Sequence, residues 1–123
     1  MSERPITVLL VDDDFDAQSV FELVMQHYKV PFDIVGDAES ALDFLKTHTP
    51  DVVLMDIFLP GMDGYQALDR IRRSATASGT RVIATTAYYT NDTQQEVIRR
   101  GFDGYLAKPF DDGLVGYLQH ITS

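Results

Sequence analysis

Five short apolar runs, "ITVLLV" (6–11), "FDIVG" (32–36), "DVVLMD" (51–56), "TRVIATT" (80–86) and "GYLA" (104–107), punctuate the chain, and each is followed by a stretch with helical spacing. This alternation restricts the fold more than any other feature. In the helical stretches, apolar residues recur three and four positions apart. They are Val20, Phe21, Val24, Met25 and Tyr28 in the first, Ala38, Ala41, Leu42 and Leu45 in the second, and Leu68, Ile71 and Ala75 in the third. The fourth and fifth are weaker, with Val97 and Ile98, then Leu114, Val115, Leu118 and Ile121. Because the strand runs are continuously apolar rather than alternating, both faces of the sheet are expected to be covered. A repeat of strand and helix then predicts parallel strands with helices on both sides. The predicted class is α/β, a doubly wound five-stranded parallel sheet.

Start signals agree with this layout. Asp37, Asp63, Asn91 and Asp111 each stand just before a helical stretch, where a short polar side chain satisfies orphan backbone N–H groups. Gly113 and Gly116 weaken the last helix. With no linker, repeat or low-complexity segment, residues 1–123 are read as one domain, long enough to bury a core.

Composition removes several functions. There is no cysteine, so neither disulfides nor thiolate metal sites are possible, and His27, His48 and His120 are too scattered for a ligand motif. No apolar stretch approaches the roughly 20 residues of a spanning helix, and "MSERPITVLL" lacks the apolar core of a signal peptide, so the expected location is the cytoplasm without membrane contact. A net charge of −9 argues against nucleic-acid binding, since a polyanion is repelled before contact. The basic clusters "RIRR" (70–73) and "RR" (99–100) read as solvated helix faces.

Ligands of doubly wound sheets bind beyond the carboxyl ends of the strands. Strand one ends in "VDDD" (11–14), strand three in Asp56, strand four in Thr86, and strand five in Lys108 and Pro109. Stacked carboxylates repel and resist burial, so such a cluster either faces water or surrounds a positive group. Singly, each residue has a plain reading: loop, cap, strand hydroxyl or solvated lysine. Together on one rim they suit phosphoryl transfer. Carboxylates hold a hard divalent cation, Lys108 and Thr86 meet phosphoryl oxygens, and an aspartate is itself a competent nucleophile.

In order and spacing, "VLLVDDD" (8–14), "PDVVLMDIFLPGMDG" (50–64), "VIATTA" (82–87) and "GYLAKPF" (104–110) resemble the receiver domain of two-component response regulators, over essentially the whole chain. The resemblance implies a flavodoxin-like sheet of order 2-1-3-4-5. It implies that Asp56 is the phosphoacceptor, taking a phosphoryl group from a histidine kinase or phosphotransfer protein. Asp12 and Asp13 organise Mg2+, completed by Asp56 and the backbone carbonyl of Phe58. Thr86 and Lys108 bind the phosphoryl group, and the peptide before Pro109 is cis. The same resemblance implies a relay through Thr86 and Tyr105 to a partner-binding face on the fourth helix, fifth strand and fifth helix, with homodimerisation on phosphorylation a further option. Such a domain is a phosphoacceptor regulator promoting its own phosphorylation and dephosphorylation rather than an enzyme acting on a separate substrate. Asp14 is then expected to cap the first helix, and repulsion within the acid pair to raise at least one carboxyl pKa when no metal is bound.

Two aromatic residues, Phe58 and Tyr88, follow Asp56 and Thr86 by two positions and are expected to obstruct water and slow dephosphorylation. Tyr88, Tyr89 and Tyr117 are candidate anchors for a partner, with core packing the alternative for Tyr117. No output module is expected in this chain, which reads either as a single-domain regulator or as a receiver belonging to a larger protein. Two competing functions stand beside this one. A haloacid-dehalogenase-type phosphatase needs DxDx[TV], which "DDDFDAQ" does not satisfy. A receiver-like module signalling without phosphorylation would lack an acceptor, threonine or lysine, and all three are present.

Overall fold

The computed structural model describes residues 6–74, 77, 79–87 and 90–122. Strand and helix alternate through β1 (Val8–Val11), α1 (Phe15–His27), β2 (Phe32–Val35), α2 (Ala38–Phe44), β3 (Val52–Asp56), α3 (Gly64–Arg73), β4 (Arg81–Thr86), α4 (Asn91–Arg99), β5 (Gly104–Ala107) and α5 (Gly113–Thr122). All strand pairs are parallel, and the order is β2-β1-β3-β4-β5. The expected α/β doubly wound sheet is therefore the fold of this chain.

Helices on both faces create two separate cores. On one face Leu9, Val11, Val53, Met55, Val82 and Ala84 pack with Ala41, Leu68, Ile71 and Val97. On the other, Val8, Leu10, Val52, Leu54 and Ile83 meet Phe21, Met25, Leu114 and Leu118. The central strand β3 is buried along its whole length, which is why its run shows no alternation. Edge strands β2 and β5 are only partly buried. At the amino edge of the sheet, the Asp51 carboxylate accepts from the Thr7 backbone N–H (2.8 Å) and hydroxyl (3.2 Å), tying the start of β3 to β1. Arg72 on α3 donates to the Thr80 carbonyl (2.6 Å) and to Asp103 (2.7 Å). Because Asp103 also accepts from the Val82 N–H (2.8 Å), this contact aligns the entries to β4 and β5.

Local signals performed well with identifiable exceptions. Asp14 and Asp37 cap α1 and α2, and Asp63 forms a reciprocal capping box with Gln66 on α3. Asp111 accepts from the Gly113 N–H at 2.8 Å. The cap of α4 is Thr90 rather than Asn91, whose neighbour supplies the hydroxyl one residue earlier. Tyr28 lies just past the end of α1 and is exposed, and Ile98 is exposed while its neighbour Val97 is the residue that α4 buries. Leu45 is buried but follows the end of α2. Ala75 lies outside the described residues.

Phe21 is the hinge of the second core. Fully buried, its ring meets Phe32 (5.7 Å between centroids) and Phe110 (6.1 Å) edge-on, joining α1 to β2 and to the turn after β5. Leu23, two residues on, faces outward with 67% of its surface exposed. Phe21→Ala is expected to cost about 3–5 kcal/mol in urea unfolding, and Leu23→Ala less than about 0.5 kcal/mol.

Candidate functional site

The carboxyl ends of β1, β3 and β5 bring Asp12, Asp56 and Lys108 together. Lys108 Nζ lies 2.7 Å from Asp12 Oδ2 and 3.3 Å from Asp56 Oδ2. Both carboxylates are buried, whereas Asp13 is exposed beside them. The ligand atoms of Asp12, Asp13 and Asp56 all lie within 4.8 Å of one another. Lys108 pairs with two of three clustered carboxylates, which leaves a surplus of negative charge formed entirely of hard oxygen donors. Such a set fits a divalent cation of the magnesium type.

Backbone donors fix the two buried acids. The Phe58 N–H donates to Asp56 Oδ1 (2.9 Å), and the Asp14 N–H donates to Asp12 Oδ1 (2.9 Å), so each carboxylate has one oxygen held by the main chain and one turned to Lys108. Burial raises the Asp12 carboxyl above its ordinary value against the opposing effects of Lys108 and the Asp14 N–H, and the charge of Asp56 adds the smallest share. The expected rise is present, with burial rather than repulsion as its main cause. Burial works to lower the Lys108 pKa, but its hydrogen bond to Asp12 and the nearby carboxylate charges outweigh this and leave it raised. Lys108 is consequently an ammonium at neutral pH.

Thr86 is buried at the end of β4, and its carbonyl accepts from the Lys108 N–H (2.8 Å). The Lys108–Pro109 peptide is cis. Phe58 exposes 57% of its surface in the loop after Asp56. Tyr105 is half-buried against the core that contains Val82, Ala84 and Val97. Tyr117 packs against the opposite core and its hydroxyl donates to the Tyr105 carbonyl at 3.4 Å, which favours packing over the anchor role. Tyr88 and Tyr89 lie outside the described residues.

Two supporting residues were not singled out by sequence reasoning. Gln18 donates from its side-chain amide to the Asp12 carbonyl (2.6 Å), holding the acidic loop to α1. No sequence signal distinguishes it from a solvated helix residue. At Gly64, a Cβ would lie 2.7 Å from both the Asp56 carbonyl oxygen and the Ile57 Cα, so only glycine lets α3 begin against the backbone of the Asp56 loop. Its signal was present in "GMDG", where a glycine follows the Asp63 cap.

The family model for the response regulator receiver domain matches residues 8–116. The response regulator Rre1 of Synechocystis is 34% identical over 111 residues, covering 88% of this chain and 47% of that protein, so the chain spans about half the length of this relative. Among solved structures, a putative response regulator from Chloroflexus aurantiacus superposes with a TM-score of 0.87 at 29% identity, covering 97% of this chain and 98% of that one. The receiver domain of a Pseudomonas aeruginosa sensor histidine kinase, with a magnesium ion coordinated in its active-site cleft, matches at a TM-score of 0.81 and 30% identity over 97% and 95% of the chains. The strand order, the acidic cluster with its lysine, and the match over residues 8–116 lead to one conclusion: this chain belongs to the response regulator receiver family, the phosphoacceptor signalling domains of two-component systems.

Proposed function

We propose that Asp56 accepts a phosphoryl group from a phosphohistidine of a histidine kinase or phosphotransfer protein. The observation that carries this reading is the buried Asp56 carboxylate, oriented by the Phe58 N–H and facing the Lys108 ammonium beside two further acids. An Asp56 oxygen forms the new O–P bond as the donor P–N bond breaks, its electron pair remaining on the imidazole nitrogen, which takes up a proton. Asp12, Asp13, Asp56 and the Phe58 carbonyl would hold magnesium, which when bound supplies charge neutralisation among carboxylates and phosphoryl oxygens. Lys108, already an ammonium at the rim, pairs with a phosphoryl oxygen, so the protein contributes by positioning and electrostatics.

Phosphorylation then biases a pre-existing equilibrium. Thr86 moves to bond the phosphoryl group, Tyr105 packs further inward, and the face of α4, β5 and α5 changes for a downstream partner or a second copy of the chain. The half-buried position of Tyr105 against the core beside α4 supports this route. A cytoplasmic setting accords with the absence, among the described residues, of a helix long and apolar enough to cross a membrane.

Incubation with acetyl phosphate and magnesium is expected to give a single phosphoryl adduct by intact mass. Asp56→Asn, or omission of the metal, should abolish it, and an adduct that persists in Asp56→Asn would place the acceptor elsewhere. Phe58 follows Asp56 by two positions in the adjoining loop, and in this reading its ring obstructs the water that attacks the acyl phosphate. Phe58→Asn is accordingly expected to accelerate adduct decay several-fold in a time course after donor removal, and an unchanged rate would limit Phe58 to contacts with a partner. Because the Gly64 Cβ position is filled by backbone, Gly64→Ala should shift the Asp56 loop, lowering urea stability by more than about 1 kcal/mol and reducing the phosphorylation rate at least as strongly.

A further inference from the structure

Among the described residues, the Thr85 hydroxyl oxygen is the one buried side-chain polar atom with no hydrogen-bond partner. Thr85 is 0% exposed, so bulk water does not reach it. A valine of the same shape would fill this position without the cost of an unpaired hydroxyl, and a buried unpaired group in a folded protein calls for an explanation.

Its place in the sheet supplies one. Thr85 is in register with Asp56 on β3 and with Leu106 on β5. Register partners in a parallel sheet share a face. The pair one step earlier on that face, Leu54 and Ile83, belongs to the core beneath α1 and α5, and Leu106 packs against the same core. Thr85 therefore stands next to Asp56 on the acceptor's own face. Thr86 alternates to the opposite face, with Ala84 and Tyr105.

We propose that Thr85 is a positioning residue of the acceptor, whose hydroxyl is unpaired while Asp56 is a free carboxylate and donates to the Asp56 acyl oxygen once Asp56 is phosphorylated. This rests on Asp56 being the acceptor. In the free carboxylate, Oδ1 is engaged by the Phe58 N–H and Oδ2 faces Lys108. With acetyl phosphate as donor, one Asp56 oxygen forms the O–P bond and the P–O bond to acetate breaks, leaving its electron pair on acetate. Thr85 keeps its proton throughout. As Lys108 follows the phosphoryl oxygens, the acyl oxygen gains room for a new donor. A penalty carried only by the unphosphorylated state, and relieved in the other, shifts the equilibrium towards the phosphorylated protein.

Thr85→Val removes the hydroxyl and keeps the shape, and Thr85→Ser keeps the hydroxyl. Thermal unfolding of the metal-free proteins and the half-life and steady-state occupancy of the acetyl phosphate adduct, with magnesium, give independent readouts. Thr85→Val is expected to raise the unfolding midpoint of the unphosphorylated protein and to lower adduct occupancy about tenfold, the scale of one buried hydrogen bond. Thr85→Ser should retain wild-type occupancy. A higher midpoint with occupancy and half-life within about twofold of wild type would overturn the proposal, leaving an unpaired core hydroxyl. A lower midpoint would also overturn it, by showing that the hydroxyl is satisfied before phosphorylation. Wild type that forms no adduct at all would instead remove the acceptor reading on which the proposal rests.

Discussion

Lys108 joins the ends of three strands through two carboxylates that lie 96 and 52 residues away in the chain, at 2.7 Å from Asp12 and 3.3 Å from Asp56. Burying these charges is unfavourable unless their partners are held in place, and removing one partner from such a group costs about 3–5 kcal/mol. The remainder of the fold meets this requirement with main-chain donors at Asp14 and Phe58, a glycine at position 64, and the Gln18 amide on the Asp12 carbonyl. The charged cluster is thus a consumer of stability, maintained by the hydrophobic cores on either side of the sheet.

Those cores also separate the two ends of the proposed relay. The face beneath α1 and α5 carries Leu54, Ile83 and Leu106, and at its carboxyl edge the Asp56–Thr85 pair. The opposite face carries Ala84 and Val97, with Tyr105 packed against them. The proposed chemistry at Asp56 and the proposed response at Tyr105 are therefore on opposite sides of one sheet. β4 lies between β3, which ends in Asp56, and β5, which carries Tyr105, and its successive residues Thr85 and Thr86 alternate between the faces. This geometry gives a physical reason why the proposed relay would run through a strand end rather than through either core.

Much of the fold was legible because its signals are local. The run "VVLM" (52–55) is apolar without a break because β3 lies between two neighbours and beneath helices on both faces. Asp14, Asp37 and Asp63 sit one position before their helices and bond an N–H three residues on, so their roles are written within four residues. The displaced signals have equally local causes: Thr90 competes with Asn91 for the cap of α4, and Ile98, one residue past the buried Val97, is turned off the buried face. For the site, the acids, threonine and lysine were readable as residues at strand ends, and the family motifs supplied their roles as expectations.

By itself, the sequence determined the alternation of elements, the parallel class, the helix starts and the residue types at the carboxyl rim, because periodicity and capping act over a few neighbouring positions. Tertiary structure decided which carboxylate oxygen meets Lys108, that burial rather than repulsion dominates at Asp12, that Gly64 must admit the Asp56 backbone, and that Thr85 shares the face of Asp56. These depend on register and close approach between segments far apart in the chain. A linear pattern records the residues that will meet there, but the distances, the burial and the shared faces exist only once the strands are side by side.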